Sequence, residues 1–228
     1  MSLIPRRLRE REEDWIIMTR IILVRHGQTP WNQDKIFRGT VDVPLNATGR
    51  EEAELAGEWL QKEPIHSAYS SPLSRARDTA LAICRHHRLN AADLPGLTDI
   101  NYGEWQGLPL TEVRQVYADL YQQWLQAPHT VRFPKGETLE EVLARAWAAL
   151  EETARRHPGQ TVLLAAHRVV NKVLIARFIG LDNSHFWRIG QDTTAINRFH
   201  LVDGVWHIIS VNDCCHLRSL KRGAYVDF

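Results

Sequence analysis

The chain has 228 residues, 44% of them hydrophobic and 24% charged, with a formal net charge of +1. That length buries a sizeable core as a single α/β domain. Near-neutral charge and the lack of any apolar run of membrane-spanning length argue against nucleic acid and membrane as partners, so any anion site must be built locally.

Residues 1–17 carry no signal-peptide core, and four arginines (Arg6, Arg7, Arg9, Arg11) balance four acids (Glu10, Glu12, Glu13, Asp14). They read as a charged extension, non-native or loosely attached, ahead of one domain over 18–228. The first strand is Arg20-Ile21-Ile22-Leu23-Val24, ending on Arg25-His26-Gly27. Thr48 and Glu51 have capping-box spacing, and Ala53, Leu55, Ala56, Trp59 and Leu60 give the following helix an apolar face. Ser67-Ala68-Tyr69-Ser70 is a short strand. Pro72 then opens a helix whose inner face is Leu73, Ala76, Ala80, Ile83 and His87.

Residues 94–100 are expected to be extended. Pro109 and Thr111 open a helix to about Gln126, and Thr138 with Glu141 caps the next, which Pro158-Gly159 ends. A second buried strand, residues 161–166, stops at His167. Val170, Val173, Leu174 and Phe178 mark the helix after it, closed by Gly180. Two strands near 195–202 and 205–211 meet at Asp203-Gly204, a strong hairpin signal. Alternating short apolar strands and amphipathic helices give an α/β fold. The expected architecture is a three-layer α/β/α sandwich, its sheet mostly parallel with an antiparallel strand toward the C-terminus.

Three cysteines, two of them adjacent (Cys214, Cys215), form no disulfide framework and point to a reducing, cytoplasmic setting. Eleven histidines invite a metal reading, but no His-x-His or His-Glu-x-x-His spacing occurs, so no metal site is expected.

Two strands that end in histidine deliver both rings to the sheet edge where open α/β folds bind ligands. Arg25 comes with the first. Gly27 lets the backbone approach closely, and Thr29 and Asn32 follow in the loop. Arg75 lies in the first turn of a helix, Asp99 and Glu104 flank the segment between, and His167 opens another helix. Two guanidinium forks and a histidine suit a phosphoryl dianion. A neutral imidazole is a competent nucleophile, and a carboxylic acid can protonate the leaving alcohol.

Leu23-Val24-Arg25-His26-Gly27-Gln28-Thr29 resembles the signature of the histidine phosphatase superfamily, also called phosphoglycerate mutase-like. Further matches fall in the family's order: residues 45–49, 70–76 (Ser70 to Ala76), 102–107 (Tyr102 to Gly107) and Gly136-Glu137-Thr138. The resemblance spans about Thr19 to Val211. It implies that His26 becomes a phosphohistidine, that Arg25, Arg75 and His167 cradle the phosphate, and that no metal or other cofactor takes part. Asn32, Thr29 and Gln28 are candidates for substrate binding. Asp99 stands where the family usually has glutamate as proton donor, with Glu104 as the fallback. Arg168 replaces the usual glycine and is a candidate cation at the pocket rim. Trp31 and Trp105, beside the motifs, are expected near the substrate.

The implied activity is metal-independent hydrolysis of small phosphate monoesters. The runner-up is phosphoglycerate mutase-type phosphoryl transfer. Residues 108–114 match the mutases' substrate-binding insertion poorly, which favours hydrolysis. Residues 124–133 and the stretch around Cys215-His216-Leu217 are similar to bacterial members acting on phosphoserine or other small phosphorylated metabolites. The tail from Asp213 is expected to fold back over the strand edge, with His216 or Arg218 meeting the substrate. A homodimer is compatible with the family.

Overall fold

The computed structural model describes residues 17–220. The expected extension, residues 1–17, lies outside that range apart from Ile17, and so do residues 221–228 of the tail. In chain order the elements are β1 (Met18–Arg25), α1 (Pro30–Gln33), α2 (Ala47–Leu60), β2 (Ile65–Ser70), α3 (Ser74–Cys84), β3 (Ala91–Asp93), α4 (Leu110–Val116), α5 (Ala118–Gln126), α6 (Leu139–Arg156), β4 (Thr161–Ala166), α7 (Arg168–Phe178), β5 (Ile196–Val202) and β6 (Val205–Asp213). They form a six-stranded sheet of order β3-β2-β4-β1-β5-β6. Strands β1 to β4 pair in parallel, and β5 and β6 add antiparallel neighbours at one side. Among the described residues, no helix is long and apolar enough to cross a membrane.

The three layers follow from alternation along the central strands. Ile21 and Leu23 of β1 join Val162 and Leu164 of β4 in a cluster with α6 and α7. Ile22, Val24 and Leu163 point the other way, into a cluster with Ala56 and Leu60 of α2 and Ile83 of α3. A strand buried on both faces needs apolar residues at every position, which is why β1 and β4 read as continuous runs.

The register explains how two histidines 141 positions apart meet (167 minus 26). Arg25 lies level with Ala166 across the β1–β4 ladder, so the next residue on each strand is His26 or His167. The His26 amide donates to Ala166 O at 2.9 Å, and the Ser71 amide to Ala165 O at 2.9 Å. Three strand tips are thereby bound to one another at the carboxyl edge.

Several local expectations hold. Thr138 caps α6: its Oγ1 accepts from the Glu141 amide at 3.2 Å, and the Glu141 carboxylate accepts from the Thr138 amide at 2.8 Å. Asp203 (φ 50°) and Gly204 (φ 78°) both take the left-handed conformation that a tight two-residue hairpin turn requires.

Others are corrected. Helix α2 is capped by Asn46, not Thr48, because Asn46 Oδ1 accepts from the Gly49 amide at 2.8 Å. Trp59, assigned to its apolar face, is 49% exposed. Helix α3 starts at Ser74 and ends at Cys84, so His87 falls in a following turn of 3-10 helix. Residues 94–100 are not an extended run: the strand is β3, just before, and Pro95–Leu97 coil into 3-10 helix. The helix expected from Pro109 to Gln126 is two, broken at Tyr117, whose ψ of 39° lies outside helical geometry.

Candidate active site

His26 is fully buried at the end of β1. Its Nδ1 hydrogen-bonds the carbonyl of its own neighbour, Gly27, at 2.6 Å. A carbonyl only accepts, so Nδ1 carries the proton and the lone pair is left on Nε2. That Nε2 is buried and makes no hydrogen bond. The loop holding the ring is braced from two sides. The Gly27 amide donates to Thr79 Oγ1 of α3 at 3.1 Å. A Cβ on Gly27 would also lie well inside contact distance of the Gly49 carbonyl at the start of α2. Gly27→Ala is therefore expected to cost about 1–3 kcal/mol by overpacking backbone against backbone. A urea midpoint unchanged from the parent protein would contradict this packing.

The His167 ring sits 5.2 Å from that of His26, centroid to centroid. Its Nε2 shares a 2.7 Å hydrogen bond with Ser71 Oγ, and its Nδ1 is buried without a hydrogen-bond partner. Asp99 Oδ2 stands 3.6 Å from that Nδ1 and 3.1 Å from Arg75 Nη2. Arg75 is fully buried and also donates to the carbonyls of Gly39 (2.7 Å) and Val41 (2.9 Å). Arg25, equally buried, donates from Nη1 to Gln191 O at 2.5 Å. The five groups the sequence singles out for chemistry thus converge, with Asp99 between Arg75 and His167.

Buried cations surround both rings. Burial first, then the charges of Arg75, Arg25 and Arg38, hold His26 well below its ordinary 6.5. Burial, Arg75, the neighbouring His26, Arg38 and Arg145 do the same to His167. Both rings are therefore neutral at pH 7. Arg75 is itself lowered to about 10, burial outweighing the attraction of Asp99, and stays charged at neutral pH.

Asn32 and Thr29 shape the loop. Asn32 Oδ1 accepts from both the amide and the hydroxyl of Thr29 at 2.9 Å, closing the turn that leads into α1. Gln28 faces away from a substrate role: its Oε1 accepts from Asn46 Nδ2 at 2.8 Å, and its amide donates to buried Glu52 at 2.8 Å.

Three further candidates are placed among other partners. Glu104 is on the surface, paired with Lys135 at 2.9 Å and receiving the Tyr117 hydroxyl at 3.2 Å. Lys135 and Tyr117 hold its carboxyl below the usual range, so it is poorly suited to donate a proton. Arg168 is 9% exposed, with its guanidinium 5.3 Å over the Trp187 ring. Trp105 is fully enclosed in the larger core cluster rather than lining a pocket, while Trp31 is half-buried in α1. In the tail, His216 is buried and bonds Thr194 Oγ1 at 3.0 Å, and Arg218 is exposed. Thr194 in turn donates its amide to His26 O at 3.3 Å. Within the described residues, Thr194 thus links His216 to the His26 backbone.

Sequence reasoning missed Arg145, which lies one turn along α6 from the Thr138–Glu141 cap. It binds the Glu137 carboxylate with Nε (2.8 Å) and Nη2 (3.0 Å), and the carbonyls of Gly96 (2.9 Å), Thr98 (2.6 Å) and Asp99 (3.0 Å). This clamp fixes the backbone that carries Asp99. It also missed Arg38, whose charge reaches both histidines. Among the described residues, no group of three or more His, Cys, Asp or Glu side chains is placed to hold a metal ion.

The profile of the histidine phosphatase superfamily (branch 1) matches residues 21–214. The chain belongs to that family. Phosphoserine phosphatase 1 of Hydrogenobacter thermophilus is 34% identical over 200 residues, covering 88% of this chain and 95% of its own. A metal-independent phosphoserine phosphatase of Arabidopsis thaliana is 32% identical over 214 residues, 90% of this chain and 87% of its own. Among solved structures, Bacillus stearothermophilus YhfR superposes with a TM-score of 0.85 at 30% identity, covering 88% of this chain and all of its own. This histidine phosphatase is accordingly a small-molecule phosphoric monoester hydrolase.

Proposed function

We propose that the protein hydrolyses acidic small-molecule phosphate monoesters of the phosphoserine type through a phosphohistidine on His26 Nε2. The observation that carries this reading is the His26 ring: Nδ1 tied to Gly27 O at 2.6 Å, and Nε2 bare among buried cations. Arg25 and Arg75 take the phosphoryl oxygens, and His167 Nδ1 completes the cradle by acquiring a proton when the dianion arrives. His26 Nε2 attacks phosphorus and the ester P–O bond breaks. The departing alcohol takes its proton from Asp99. Water then attacks the phosphohistidine, gives its proton back to Asp99, and the P–N bond breaks to release inorganic phosphate.

In the free protein Asp99 Oδ2 stands between Arg75 Nη2 at 3.1 Å and His167 Nδ1 at 3.6 Å, within the cradle. Asp99→Asn is expected to lower kcat about 10²–10⁴-fold on an alkyl phosphate such as phosphoserine. A nitrophenyl phosphate, whose leaving group needs no proton, should lose far less. Equal losses on both esters would remove Asp99 from the acid role.

The phosphoserine preference draws on the two relatives of that name, and a complement of three cysteines supports a reducing, cytoplasmic setting. A panel of phosphate monoesters assayed with a chelator present, beside 3- to 2-phosphoglycerate conversion, tests the whole reading. Phosphate release indifferent to chelator is the expected outcome. Isomerisation faster than hydrolysis would overturn it in favour of the mutase.

A further inference from the structure

Arg25 is the only charged side chain in the first histidine motif, and its Nη1 donates to a main-chain carbonyl, Gln191 O, in a segment that belongs to no helix or strand. No ladder fixes that carbonyl. The N–H of the same peptide, that of Asp192, donates to Asn212 Oδ1 at 2.8 Å, and the Gln191 side chain joins two other buried amides. Gln191 Nε2 donates to Asn197 Oδ1 at 2.7 Å, and Asn197 Nδ2 returns a bond to Gln191 Oε1 at 3.0 Å. Asn171 Nδ2 adds a second donor to the same Oε1 at 3.0 Å. Asn197 is anchored to the sheet through Leu23 O at 2.9 Å, two residues before Arg25. Asn171 lies on the first turn of α7, where its amide donates to His167 O at 2.9 Å. The lock thus refers Arg25 and His167 to the same turn of helix.

We infer that Asn171, Gln191 and Asn197 are positioning residues for Arg25, fixing the carbonyl that aims its guanidinium at the transferring phosphoryl group. This rests on the phosphohistidine reading above. Stability alone gives a poor account of Asn171. Its Oδ1 is buried with no hydrogen-bond partner, a standing cost in a helix interior. Gln191 Oε1 would keep a donor, Asn197, if Asn171 were apolar. A group that costs stability and touches the phosphate cradle at one remove fits a positioning role. Small misplacements of such a cradle lower turnover steeply.

The test is Asn171→Leu, of nearly the same volume, with Arg25→Lys and the double variant. A nitrophenyl phosphate keeps weak activity measurable. Asn171→Leu is expected to hold or raise Tm while kcat falls about 10–100-fold and inhibition by vanadate weakens in parallel. In the Arg25→Lys background it should cause no further loss, because it acts through Arg25. A full additional loss there, or unchanged kcat in the single variant, overturns the inference. Should Asn171→Leu not fold, Asn171→Ser goes through the same cycle. Failure of both to fold also overturns it, since the amides would then be a folding element. Alkaline quench of the wild-type protein with labelled substrate separates the two ideas: absence of label on His26 removes the phosphohistidine reading, whatever the cycle shows.

Discussion

Replacing His26 with alanine is expected to lower phosphate release by about 10⁴-fold or more, with inorganic phosphate still bound. The chemistry and the binding are carried by different atoms. Nε2 supplies the lone pair, while Arg25 and Arg75 are held by carbonyls of Gln191, Gly39 and Val41 that do not involve the ring. The cradle therefore survives the substitution. The fold should survive too. The ring's one polar contact is with its neighbour's carbonyl, and burial works against its charged form. Steady-state assay with an active-site stoichiometry, beside phosphate binding by calorimetry, checks both halves. More than about 1% residual turnover would place the nucleophile elsewhere.

The same two rings set the acid stability of the unliganded protein. In the unfolded chain, His26 and His167 take up protons near 6.5; in the native protein both are held well below that by burial and by Arg75. Below pH 6.5 the unfolded state thus binds more protons, and stability falls as pH falls. Above it, the contribution is fully present. Two such histidines should remove about 2 kcal/mol between pH 6.5 and 5.5, since each approaches about 1.4 kcal/mol per pH unit. Urea midpoints at the two pH values measure this. His26→Ala should remove about half of the histidine-linked change, and saturating inorganic phosphate should shrink it, because the dianion favours protonated His167. A midpoint indifferent to pH in this window would mean that the rings are not desolvated as described.

The parts of the site that were legible in the sequence are those where a strand ends. Apolar runs that stop at His26 and His167 announce both the layer and the edge, because a parallel strand buried on two faces has no other composition available to it. Capping at Thr138 and the Asp203-Gly204 turn were equally plain, being set by residues within three positions of each other. What could not be read was set by partners far along the chain. Glu104 carries the right charge beside the right motif, but Lys135 pairs with it at the surface. Arg145 holds the Asp99 backbone from 46 positions away. Asn46 takes the cap from Thr48 because α2 begins two residues earlier than the capping-box spacing implies, and no periodicity encodes that shift.

The tight approach of Gly27 to Gly49 has a dynamic consequence. An imidazole attacking phosphorus would ordinarily advance toward it and recoil as the bond breaks. Here the peptide behind the ring is already in contact with another peptide, and Nδ1 is tethered to that same unit. The contact behind opposes the recoil, and the tether opposes the advance. On the proposed chemistry, phosphorus makes the journey between leaving oxygen and nitrogen while the imidazole stands as a fixed anvil, so isotope effects should report a moving electrophile and a stationary ring.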